Sequence, residues 1–184
     1  MVEEPMVAFA PIIDRVSAPL PRPTKLKNIL LYLLERCAAM PTVNEAQLWR
    51  LLYFCDFDYY ERFEEHLTGL RYRLLSHGPK PEQVTDYVEQ LVAQGTLQRI
   101  KTNLAGYTHL RYLPSAQADL MQLTAAEVSV ADQVVQRYAR WSEAALKAYI
   151  LADMPCKATE QGEPIEYELV FYREAPYSVR TYPE

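Results

Sequence analysis

Residues 48–63 read LWRLLYFCDFDYYERF, seven aromatic side chains in sixteen positions, with Asp56 and Asp58 set among them. At 3.6 residues per turn, Leu48, Leu52, Cys55 and Tyr59 share one helical face. Trp49, Tyr53, Asp56 and Tyr60 form a second row about 100° away, and Phe54 and Phe57 lie on a further side. A helix apolar nearly all round is a buried one at the centre of its fold. Asp56 therefore stands in an aromatic row, where an isolated carboxylate is expensive unless it is paired. Arg71 or Arg73, in the RYR segment that follows, is the expected partner through a bidentate guanidinium. The competing functional reading has Asp56 touching another protein. Asp58, Glu61, Glu64 and Glu65 are expected on a solvated edge. Asp56 and Asp58 diverge by about 200° on a helix, which excludes a joint acid–base pair.

Working outward, Asn44 with Gln47 three residues later gives a capping-box-like start to this helix. Before it, Thr24 is the expected cap of a helix over 25–39, with Leu26, Ile29, Leu30, Leu33 and Cys37 on one face. Residues 1–23 hold prolines at 5, 11, 19, 21 and 23 and are expected to form an extended arm. After the central helix, Gly69 turns the chain, RYRLLS reads as a short strand, and His77-Gly78-Pro79 turns it again. A helix is expected over 81–94, then a hairpin over 97–113. Thr124-x-x-Glu127 opens a helix to about Arg140, and Ser142 caps another to about Ala152. Ile165, Tyr167, Leu169 and Phe171 alternate as a strand does, and 176–184 read as an irregular tail. The expected class is α+β, a mostly helical single domain over 24–175 with a small antiparallel hairpin.

The 184 residues carry a formal net charge of −5, 49% hydrophobic content and fourteen tyrosines. Residues 24–152 balance fourteen basic against fourteen acidic side chains, so the acidity lies in the ends. This is not the strongly basic balance of a dedicated nucleic-acid binder. Three cysteines without a Cys-x-x-Cys pair point to buried free thiols in a reducing compartment. The acidic start MVEEP does not look like a signal peptide, and no run approaches 18 apolar residues. A cytosolic protein without membrane insertion is expected.

Chemical constellations are sparse. There is no Gly-rich phosphate loop, no Gly-x-Ser-x-Gly and no His-x-x-x-His. His66, His77 and His109 lack neighbours at zinc-ligand spacing, so no metal or cofactor is expected. An enzyme would use Cys55, paired with His77, or Asp56, and Cys55 lies on an apolar face where a thiol is usually inert. The order helix, helix, short strand, helix, hairpin over 25–113 is that of a winged helix. Arg99, Lys101 and Arg111 on the hairpin are then the candidate phosphate contacts. Against DNA, the helix at 81–94 carries Glu82, Asp86 and Glu89 and no base, so a protein-binding scaffold is favoured.

Three segments taken together resemble one family: LWRLLYFCDFDYY (48–60), LTGLRYRLLSHGPKP (67–81) and PCKATEQGEPIEYELVFYR (155–173). The series is similar to the Panacea, or SocA-like antitoxin, domain over roughly residues 26–173. Cys156 departs from it, standing where that family often has tryptophan after the proline. The resemblance implies a non-enzymatic antitoxin of a bacterial or phage toxin–antitoxin system. Its partner would be a cognate toxin protein, in some relatives with delivery of that toxin to a protease. Tyr53, Asp56, Gly69, Tyr72, Gly78 and Pro79 match signature positions. With Trp49 and Tyr60 of the same helical row, they are the candidate scaffold or partner residues. The alternative is a winged-helix DNA-binding regulator.

Overall fold

Asn44 opens the central helix: its side chain accepts the Gln47 backbone N–H at 2.9 Å. Helix α2 then runs Glu45–Phe63 and closes at Glu64 in the left-handed conformation. The Gln47 side chain does not complete a capping box, because it donates instead to the Trp141 carbonyl. The structure is a computed structural model that describes residues 19–104 and 106–181. Most of the expected N-terminal arm, residues 1–18, and the end of the tail, 182–184, lie outside the described residues.

Helix α1 spans Pro23–Arg36 and carries proline in its first turn, with no side-chain cap. Thr24 is therefore inside the helix rather than its cap. Proline suits the first position because its φ is already helical and its missing N–H would have no intrahelical partner.

The first strand is where expected, but the turn after it is shifted. Strands β1 (Tyr72–Leu75) and β2 (Gly78–Pro81) form an antiparallel hairpin, with Leu74 opposite Pro79 and Tyr72 opposite Pro81. Gly78 and Pro79 thus belong to a strand and not to the turn. The register places both prolines at positions whose N–H would point away from β1, so the ladder loses nothing.

The other edge of β1 is covered by an extended segment from far along the chain. Gly162 N–H donates to the Leu74 carbonyl, Leu74 N–H to Glu163 and Ile165 N–H to Tyr72, at 2.7, 3.0 and 2.8 Å. The expected strand through Phe171 stops there, and Tyr167–Tyr172 is a 3-10 helix. Three residues per turn put Tyr167, Val170 and Arg173 on one buried row, whereas strand alternation would have buried Phe171, which is 38% exposed.

Helix α3 (Val84–Ala93) leads into strands β3 (Leu97–Leu104) and β4 (Tyr107–Pro114). The element order of a winged helix is present. However, β1–β2 and β3–β4 are separate two-stranded sheets, so the short strand does not join the hairpin. Helix α4 (Ala125–Tyr138) starts with the expected reciprocal Thr124–Glu127 capping box. Helix α5 (Glu143–Leu151) is capped by Ser142, and α6 is the short Met154–Lys157.

Helices α1, α4 and α5, strands β2 and β4 and the 3-10 helix Tyr167–Tyr172 pack directly against α2, whose residues from Gln47 to Glu61 are buried without a break. Phe54 stacks on Tyr138 of α4 and Phe57 on Tyr167, both at 4.2 Å between ring centroids. The result is a mostly helical α+β domain built about one aromatic helix. Among the described residues, no helix is long and apolar enough to cross a membrane.

Candidate functional site

Asp56 is fully buried and its carboxylate is saturated from one loop and one strand. Thr68 donates its backbone N–H at 2.9 Å and its hydroxyl at 2.8 and 2.7 Å, and the Tyr72 hydroxyl donates at 2.6 Å. The strand expected to hold Asp56 does so, through the tyrosine of RYR rather than its arginines. A β-strand alternates its faces, so Tyr72 points inward while Arg71 is exposed. Arg73 pairs with Glu82 at 2.8 Å and donates to the Gly162 carbonyl. Burial raises the Asp56 carboxyl to about 6, against the hydrogen bonds from Tyr72 and Thr68 that favour the anion.

The rest of the aromatic row is tied down in the same manner. Tyr53 donates to Asp153 Oδ2 at 2.9 Å and its ring stacks on Phe57 at 4.2 Å. Tyr60 donates to Glu168 at 3.1 Å and stacks on His66. Trp49 packs at 6.3 Å from Tyr112, whose hydroxyl donates to Glu45. Gly69 sits at φ 72°, and a Cβ there would lie 1.7 Å from the Leu20 carbonyl oxygen. That position closes the stretch bearing Thr68 against the segment leading into α1, which accounts for a residue without a side chain.

Asp58 and Glu61 are not on a solvated edge. Both are buried, and with Asp153 they surround the guanidinium of Arg173. Arg173 Nη1 reaches Asp58 and Glu61 at 2.9 Å each, while Nε and Nη2 form a fork on Asp153. Burial raises the Asp58 carboxyl to about 6, with Arg173 pulling the other way and the neighbouring acids adding to the rise. Glu61 also accepts from Ser178 Oγ and Val179 N, pinning the segment after Arg173 onto α2. Glu64 and Glu65 are exposed, as the sequence suggested.

Arg173, Asp153 and Thr68 were missed by reading the sequence. One signal was available: Asp58-x-x-Glu61 puts two acids on the same side of a helix otherwise buried all round, which demands a cation. The single arginine closing IEYELVFYR was the candidate to supply it.

Cys55 and His77 do not form a pair. Cys55 is buried beneath the apolar face with its thiol pushed well up by desolvation, and His77 is exposed. Among the described residues, no cluster of His, Cys, Asp and Glu is arranged to hold a metal ion. The three hairpin cations do not share one face. Arg99 stands opposite Tyr112 and pairs with Glu89 at 3.4 Å, and Lys101 is two residues on. Arg111 stands opposite Ile100, on the other face, and donates to the Met40 carbonyl.

The family model described as antitoxin SocA-like, Panacea domain, matches residues 48–155, more than half of the chain. The protein belongs to the SocA-like antitoxin (Panacea) family. The match is narrower than the 26–173 over which the motifs were read, and Arg173 lies beyond it. Neither the comparison with curated proteins nor that with solved structures gave a match. Membership of this Panacea family suggests an antitoxin role and points away from catalysis.

Proposed function

We propose that this protein neutralises a cognate toxin by binding it directly, in a bacterial or phage toxin–antitoxin system, and that it does so without catalysis. The observation that carries this reading is the family match over residues 48–155. The site geometry agrees in kind. The carboxylates and phenols of the aromatic row are engaged with one another and with the backbone, which is how a scaffold uses them. In this reading Tyr53, Asp56, Tyr60, Gly69, Tyr72, Gly78 and Pro79 hold the shape of the domain. Partner contacts then come from exposed positions, among them Tyr107, Met121 and Tyr172 at 73%, 91% and 69% exposure, and from the N-terminal arm.

The test is gel filtration of the protein with the toxin it protects against, both at micromolar concentration. Co-elution as a complex that buries at least about 1,000 Å² is expected for tight neutralisation. Separate elution of two well-folded proteins that nevertheless protect cells would dispose of direct binding. Loss of protection in protease-deficient cells would replace it with an adaptor role.

A further inference from the structure

Among the described residues four strands offer outer edges, and those of β1 and β2 are closed or blunted. β1 is covered by Gly162–Ile165 through main-chain hydrogen bonds. β2 carries Pro79 and Pro81, which have no N–H to offer, and packs against α2 and α5. β4 packs against α1 and α2 and ends at Pro114, and Arg111 is turned to the Met40 carbonyl, while β3 packs against α3. β3 is different. Among the described residues it pairs only with β4, contains no proline, and carries Arg99 and Lys101 without an acid.

The register fixes which main-chain groups are open. Ser115 N–H donates to the Thr96 carbonyl at 2.9 Å, so even-numbered residues of β3 exchange hydrogen bonds with β4. The N–H and C=O groups of Arg99, Lys101 and Asn103 therefore face outward, and none bonds to another main-chain group outside the hairpin among the described residues. Such a row is a template for an added strand.

We infer that β3 takes up an extended, acidic segment of the toxin as an additional antiparallel or parallel strand, which rests on the antitoxin reading above. The main-chain row supplies the affinity, and Lys101, exposed beside it, selects carboxylates on the incoming segment. A second copy of this chain fits less well, since self-pairing of β3 would set Arg99 and Lys101 against their own counterparts. Nucleic acid also fits less well. The neighbouring α3 exposes Asp86 and Glu89, and Glu89 already neutralises Arg99.

The experiment is amide hydrogen exchange on the full chain, alone and with the toxin against which the unaltered chain protects cells. It is paired with binding measurements on Lys101→Glu and Lys101→Pro. The proline removes an outward N–H and leaves the ladder to β4 intact. Slowing of exchange at Arg99, Lys101 and Asn103 by at least ~10-fold on toxin binding is expected. Each variant should weaken the complex by at least ~10-fold, with an unchanged thermal midpoint. If the proline variant fails to fold, the exchange data on the unaltered chain decide. Protection of cells with no slowing at these amides overturns this inference and leaves direct toxin binding standing. So does slowing produced by raising the concentration of this protein alone, or by duplex DNA. Failure of the unaltered chain to protect cells overturns both readings.

Discussion

The Tyr72 hydroxyl donates to Asp56 Oδ2 at 2.6 Å, joining the first strand to the central helix inside a fully buried aromatic shell. Both groups are costly to bury alone, and each supplies what the other lacks. Tyr72→Phe removes one of the donors to the Asp56 carboxylate and should cost about 1–3 kcal/mol of stability. Asp56→Ala should cost more, because it also strands the Thr68 backbone N–H and the Tyr72 hydroxyl. Urea unfolding of the three proteins checks the order.

Among the described residues, Arg173 is the cation ion-paired with all of Asp58, Glu61 and Asp153, so its loss leaves buried carboxylates without their partner. Arg173→Met should destabilise the fold by about 3–5 kcal/mol. Arg173→Lys should recover only part of this, because an ammonium cannot fork onto Asp153 while reaching two other acids. The same unfolding measurement decides, and an unperturbed Arg173→Met variant would refute the role given to this residue.

The two aspartates raised to about 6 make stability depend on pH in a definite direction. Their unfolded value is about 3.9, so the fold binds these protons more tightly than the unfolded chain does. The stabilising contribution is complete below that unfolded value and is lost as pH rises through 6. These two groups therefore favour the fold more at pH 5 than at pH 7. Asp56→Asn and Asp58→Asn should each show a smaller gain in the urea midpoint between pH 7 and pH 5 than the unaltered protein. An identical gain in either variant would contradict the assigned shift.

Two glycines with positive φ should respond differently to alanine. Gly69 at φ 72° faces the Leu20 carbonyl, whereas Gly162 at φ 91° has nothing within 4 Å of an added Cβ. Gly162→Ala should cost only the left-handed backbone penalty, about 1–2 kcal/mol. Gly69→Ala adds a clash with main chain and should displace residues 20 and 21, lowering the thermal midpoint well beyond the Gly162 variant. Equal midpoints would mean that the Gly69 contact carries no weight.

Much of this architecture was legible because local signals agreed with the packing. The helical spacing of 48–63, the Asn44, Thr124 and Ser142 caps and the β3–β4 hairpin are all as the sequence suggests. The differences have several causes, the first being side chains whose partners are remote in sequence. Asp58 and Glu61 looked solvated because Arg173 is more than a hundred positions away. Gly78 and Pro79 looked like a turn because proline disfavours strands, except where its missing N–H faces outward. The run 165–171 alternated like a strand, yet burying Tyr167, Val170 and Arg173 together required a three-residue repeat. Asp56 takes its partner from the expected strand, but from Tyr72 rather than an arginine, because a β-strand turns alternate residues to opposite faces.

Growth rescue tests the central claim most directly. The product of the adjacent reading frame is expressed under tight control, with and without this protein, and colony growth is counted. The neighbour alone is expected to stop growth and coexpression of the unaltered chain to restore it, whereas the destabilised Arg173→Met variant should not. A toxic neighbour whose effect is untouched by well-expressed, folded protein would contradict the antitoxin reading.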